Sequence, residues 1–263
     1  MLWAKKWRRP VGWPQSVFVL WSGLLMALLI TQWSCRSEAE QFFPPEVPTL
    51  IDSTELSPSL PISINYLALG DSYTIGEDVD STQRYPNLLA GQLQTAGLDV
   101  DSPTIIAQTG WTTRNLLQAI DAADLTDTFE LVSLLIGVNN QYQGADFTIY
   151  ESEFPQLLQK AIQLAGGDTE NVFVLSIPDY AFTPFGQNWG NPNQTSEELD
   201  QYNAFNKSWT TAQGVVYFDI TPISRQGLSD PTLVASDGLH PSGKMYQLWM
   251  DQIVEEVKSL LED

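Results

Sequence analysis

Five short apolar runs, separated by helix-length segments, constrain this chain more than any other feature. They are Ile64–Leu69 (INYLAL), Thr104–Ala107, Leu131–Ile136 (LVSLLI), Val172–Ile177 (VFVLSI) and Val215–Ile220 (VVYFDI). Runs this short and this apolar read as strands buried on both faces. The intervening segments carry apolar residues at helical spacing. Tyr85, Leu88, Leu89, Leu93 and Ala96 form one stripe, closed by Gly97, and Leu116, Leu117 and Ile120 form another, which Thr112 or Thr113 can cap. Phe154, Leu157, Leu158, Ala161, Ile162 and Ala165 form a third, stopped by Gly166-Gly167. A long irregular stretch follows the fourth strand, then a helix near 197–211. The last helix carries Tyr246, Trp249, Met250, Ile253, Val257 and Leu260. Strands joined through helices require crossovers, hence a parallel sheet. The expected architecture is an α/β fold, a three-layer α/β/α sandwich around a five-stranded sheet. In such sheets the functional loops lie beyond the carboxyl ends of the strands, here the loops beginning at Gly70, Gln108, Gly137, Pro178 and Thr221.

The strands occupy only part of the 263 residues. Residues 1–34 begin basic (Lys5, Lys6, Arg8, Arg9) and continue into the uncharged apolar run Val17–Thr31. This is the pattern of an export signal, and through Trp33 it nears the length of a spanning helix. Cys35, the sole cysteine, stands directly behind it in Trp33-Ser34-Cys35-Arg36. That placement resembles a bacterial lipoprotein signal, with Cys35 as the lipid attachment point, although Gln32 departs from the usual aliphatic residue. The alternatives are an uncleaved anchor and simple secretion. Residues 35–61 are polar, acidic and rich in proline, which predicts an extended linker. The folded domain is then 62–263, and the expected location is the cell envelope, held to a membrane by lipid or N-terminal helix.

Charge excludes one class of partner. The chain has 12 basic and 32 acidic residues, a net of −20, and no acidic residue precedes Glu38. Such a surface repels phosphate backbones, so nucleic acid is not a partner. With one cysteine and one histidine, neither an internal disulfide nor a zinc site of the usual Cys/His set is available. Any imidazole chemistry falls to His240.

The strand ends carry the candidate chemistry. Gly70-Asp71-Ser72-Tyr73-Thr74 follows the first strand, and a serine in a tight strand-to-helix turn can present its Oγ as a nucleophile. The same residues also suit a plain turn or helix cap. Gln108-Thr109-Gly110-Trp111 offers a bare backbone N–H at Gly110. Gly137-Val138-Asn139-Asn140 offers an amide that donates without titrating, suited to a forming oxyanion. Asp237-Gly238-Leu239-His240-Pro241-Ser242 spaces a carboxylate and an imidazole so that the first can meet Nδ1–H of the second. Pro241 fits the first turn of the last helix. Glu77, Asp78 and Asp80 read as a solvated acidic loop with calcium as the alternative. Tyr180, Phe182, Phe185 and Trp189 suit either a pocket lining or packing.

Taken in order, GDSYT, AQTGWTT, GVNN and DGLHPSG resemble the four blocks of the SGNH (GDSL-like) hydrolase family, over Ile62 to the C-terminus. The third block commonly reads Gly-x-Asn-Asp; here Asn140 stands in place of the aspartate. The resemblance implies a flavodoxin-like sheet and a serine esterase with Ser72, His240 and Asp237 as triad. It also implies an oxyanion hole of Ser72 N–H, Gly110 N–H and the Asn139 amide. Neither metal nor organic cofactor is implied, and a monomer is expected. An acyltransferase on envelope sugars using the same site, or a non-catalytic carbohydrate-binding protein, are the alternatives. Short acyl esters, acetylated polysaccharide and lysophospholipid all remain open as substrates.

Overall fold

A computed structural model describes residues 63–262. The signal or anchor segment 1–34, Cys35 and the linker to residue 61 lie outside the described residues, so the domain bounds expected there are not addressed by the structure. Five strands, β1 (Tyr66–Gly70), β2 (Thr104–Ala107), β3 (Leu131–Leu135), β4 (Val172–Leu175) and β5 (Val216–Phe218), form one parallel sheet in the order β2-β1-β3-β4-β5. The expected α/β/α sandwich is therefore the observed fold. β3 to β5 are shorter than their apolar runs. Ile136, Ile177 and Ile220 stay buried beyond the ladder and anchor the loops that follow.

The chain leaves β1 through α1 (Ser72–Ile75) and reaches β2 by way of α2 (Tyr85–Thr95). α3 (Thr113–Ala123) leads to β3, α4 (Val138–Tyr142) follows β3 directly, and α5 (Phe147–Leu164) leads to β4. The stretch after β4 is more ordered than its sequence suggested. It holds a 3-10 turn, Tyr180–Phe182, and α6 (Pro184–Asn188). α7 (Pro192–Ala212) starts well before residue 197, with Pro192 at its first turn and Asn191 accepting from the N–H groups of Asn193 and Gln194. α8 (Thr221–Ser224) follows β5, and α9 (Gly243–Glu262) closes the fold.

α2 packs with α9, while α3, α5 and α7 pack in succession. These two sets follow from right-handed crossovers, because the first connection runs toward one sheet edge and the next three run toward the other. The sheet order reverses between β1 and β3. Their ends are level, Gly70 pairing with Leu135, so the loops carrying Ser72 and Asn139 flank the switch point. Close approach there has a specific requirement. A Cβ at Gly70 would lie 2.4 Å from the Leu135 carbonyl oxygen and 2.0 Å from Thr74 Oγ1, so only glycine fits between the strand and its own first turn.

Candidate active site

The turn that carries Ser72 is built inward from Asp71. This residue is fully buried, and its Oδ1 accepts from the Tyr73 N–H at 3.0 Å, capping α1. Oδ2 has no hydrogen-bond partner among the described residues. Burial raises the carboxyl to about 7, against the lowering effect of the backbone hydrogen bonds. Ser72 follows at the first position of α1 and is 4% exposed. It lines a cavity of about 250 Å³ together with Tyr73, Gly110, Asn139 and His240. The apolar part of its lining comes from Val138, Tyr142, Tyr180, Phe185 and Leu239.

Two loops bring amide donors to the same space. Gly110 adopts φ +83°, yet a Cβ there would touch nothing within 4 Å. The glycine thus serves the left-handed backbone, and the space beside it, free of protein atoms, leaves its N–H open on that side. Its carbonyl accepts from Gln143 Nε2 at 2.9 Å, which fixes the peptide plane. The backbone N–H groups of Ser72 and Gly110 take no part in the loop and cap hydrogen bonds of the described residues. Asn139, 8% exposed, donates one Nδ2 hydrogen to the Trp111 carbonyl at 3.0 Å. That bond sets the amide orientation and leaves its second N–H to the cavity.

Asn140 explains its own departure from the family pattern. Its Oδ1 accepts from the Thr113 N–H at 3.0 Å and its Nδ2 donates to Thr113 Oγ1 at 2.8 Å. The Thr113 hydroxyl then donates to Glu153 Oε2 at 2.5 Å, and Arg114 pairs with Glu153 Oε1 at 2.8 Å. A threonine has one hydroxyl proton, and Glu153 uses it. A carboxylate at position 140 would compete for that proton, whereas the amide supplies its own. The charge absent from position 140 stands one hydroxyl away, on α5.

The remaining residues come from the loop before α9. Asp237 Oδ2 lies 2.5 Å from His240 Nδ1, and its Oδ1 accepts from the N–H groups of Leu239 (2.8 Å) and His240 (3.0 Å). Burial raises the Asp237 carboxyl, but the hydrogen bonds from the imidazole and the two amides outweigh it and hold the group below its ordinary value. Pro241 is not in the helix. It forms an isolated antiparallel bridge with Val234, while Ala235 N–H donates to His240 O and Ser242 N–H to Leu233 O. This bridge holds His240 in place, and Ser242 starts α9 by accepting from the Met245 N–H. The Tyr73 ring meets the imidazole edge-on at 5.9 Å. Ser72 and His240 line one cavity, but no hydrogen bond joins them among the described residues.

Several participants were missed by sequence reasoning. Tyr142 lies three residues after Asn139 on α4, a spacing that would have put it on the same face. Trp111, Thr113 and Glu153 act through contacts 27 to 40 residues apart and leave no local signal. Of the four aromatic candidates, Tyr180 and Phe185 line the cavity, and Trp189 stacks on both Tyr142 and Phe185. Phe182 packs beneath the Arg225 guanidinium instead. Among the described residues no group of three or more His, Cys, Asp or Glu is placed to hold a metal ion, and no helix is long and apolar enough to cross a membrane.

The fold is thus a parallel α/β/α sandwich with Ser72 beside the switch point and with Ser72 and His240 on one cavity. The sequence profile of the GDSL-like Lipase/Acylhydrolase family matches residues 68–248, and the chain belongs to that family, whose members hydrolyse esters. Among proteins of curated function, no relative matches the sequence. Solved structures of the same fold include TesA (TM-score 0.60, 17% identity, covering 74% of this chain and 99% of that one). The esterase EstA from Pseudoalteromonas sp. is similar at TM-score 0.59 and 16% identity, covering 76% and 100%. The acetyl xylan esterase Axe2 from Geobacillus stearothermophilus is similar at 0.57 and 19%, covering 75% and 96%.

Proposed function

We propose that this chain hydrolyses neutral carboxylic esters of small acyl groups through Ser72, His240 and Asp237. The observation that carries this reading is the Asp237–His240 pair at 2.5 Å, with Ser72, Gly110, Asn139 and His240 around one cavity. Ser72 Oγ attacks the ester carbonyl carbon as His240 Nε2 takes its proton, and Asp237 holds the tautomer and stabilises the imidazolium. The oxyanion forms against the N–H groups of Ser72 and Gly110 and the Asn139 amide. Collapse expels the alkoxide, which leaves with the proton from His240. Water then attacks the acyl-serine, giving its proton to His240, and collapse returns that proton to Ser72 and frees the acid.

The apolar wall of Val138, Tyr142, Tyr180, Phe185 and Leu239 favours an acyl chain, and the cavity volume favours a short one. No lysine or arginine lines the cavity, so nothing there compensates an anionic substrate. Ser72→Ala is expected to abolish turnover of a chromogenic acetyl or butyryl ester without lowering the melting temperature. Retained turnover excludes this nucleophile. For the N-terminus we propose export and lipidation at Cys35, tested by fatty-acid labelling of the parent chain against Cys35→Ser; equal labelling of both ends that reading.

A further inference from the structure

The acidic residues after α1 do more than solvate a loop. Gly76 ends α1 in the left-handed region, and Asp78 is itself left-handed at φ +61°, one of two non-glycine residues with positive φ among those described. Such a conformation costs an L-residue energy unless contacts hold it. The contacts are those of the two adjacent side chains, which reach separate loops. Glu77 Oε2 accepts from Thr109 Oγ1, the residue before Gly110. Asp78 Oδ2 accepts from Ser236 Oγ at 2.6 Å and from the backbone N–H of Asp237 at 2.8 Å, across 159 residues of chain.

We propose that Glu77 and Asp78 form a bracket of positioning residues that sets the Gly110 loop and the Asp237–His240 loop relative to the nucleophile turn. This rests on the triad reading above. The bracket spans two loops, those of Ser72 and His240, whose side chains share no hydrogen bond among the described residues. Neither carboxylate lines the cavity, so neither touches substrate. Their effect is on geometry, and a misplacement of about 1 Å at a reacting group can cost about 10²-fold in rate.

The test uses the full chain and steady-state kinetics on a short-chain chromogenic ester. Asp78→Gly removes the carboxylate at a position where glycine accepts the backbone without strain. It is expected to lower kcat about 10- to 100-fold, with KM within about twofold and the melting temperature little changed. Asp78→Asn keeps an acceptor and tolerates the left-handed backbone, and is expected to restore most of the rate. Glu77→Ala, at a partly exposed side chain, is expected to lower kcat on its own and provides the measurement if Asp78→Gly does not fold. Rates within twofold of the parent in both Asp78→Gly and Glu77→Ala overturn the bracket, as does an Asp78→Asn variant no faster than Asp78→Gly. Ser72→Ala separates the two readings: persistent activity there refutes the triad, whereas Ser72-dependent activity indifferent to positions 77 and 78 refutes only the bracket.

Discussion

The two halves of the candidate site are held by opposite means. The half that carries Ser72 and the amides hangs from β1, β2 and β3 and is supported from inside, by buried Asp71 and by the Asn140–Thr113–Glu153 chain. The Asp237–His240 half is a surface loop, pinned by a short backbone bridge and by Asp78, with the Asp237 side chain still 30% exposed. Polar groups in the first half are buried away from solvent, so changing them moves stability, in a direction set by what each group lacks. Polar groups in the second half can be rehydrated, so disturbing them costs alignment and chemistry. Activity and stability therefore separate along the molecule.

The sharpest test of that separation is Asp237→Asn. The asparagine oxygen stays on the Leu239 and His240 N–H groups and its NH2, a donor, replaces Oδ2 opposite Nδ1, which favours the wrong His240 tautomer, and kcat is expected to fall about 10⁴-fold. The melting temperature should move little, because the loop is exposed. A large fall in stability would break the comparison. On the buried side, Asp71→Asn should do the reverse. The folded carboxyl is raised to about 7 while the unfolded one titrates near 3.9, so the native state holds its proton more tightly across that window. The stability this proton supplies is complete below about pH 4 and is lost as pH rises toward 7. The amide never ionises, so the variant should gain on the parent between pH 4 and 7, by up to about 4 kcal/mol at roughly 1.4 kcal/mol per tenfold in proton affinity. Chemical denaturation at several pH values checks this, and a difference that does not grow with pH contradicts it.

Asn139 sits where the halves meet. Asn139→Ala is expected to cost about 10²–10³ in kcat, and a loss under tenfold removes it from the oxyanion hole. The smallest effect is expected from Asn140→Asp, which sets two carboxylates against one Thr113 hydroxyl. It should lower stability by about 1–3 kcal/mol, the cost of an unsatisfied buried polar group, and should recover when Glu153→Gln is added. Lack of recovery would show that Glu153 is not the competitor.

Much of this was legible before any coordinates. The five apolar runs are the five strands, and each expected helical stripe is present. Ser72, Gly110, Asn139 and His240 do converge on one cavity, and Asp237 reaches His240 as its spacing implies. Pro241 was misplaced because a proline before a helix and a proline in a bridged loop leave the same local trace. That Gly110 also needs glycine for its left-handed φ is something only backbone angles show. The acidic loop is solvent-facing as its sequence suggested, with Asp78 and Asp80 exposed, but the partners of Glu77 and Asp78 lie about 30 and 160 residues away and leave no local trace.

By itself the sequence determined what depends on period and neighbours: strand and helix identity, parallel order, and the Asp-x-x-His loop whose members touch within four residues. Tertiary structure alone decided what depends on convergence: that Thr113 has one proton for two claimants, that Asp71 is fully buried, and that Glu77 and Asp78 face different loops. A hydrogen bond between distant segments is fixed by where the fold brings them, and no run of adjacent residues encodes that distance.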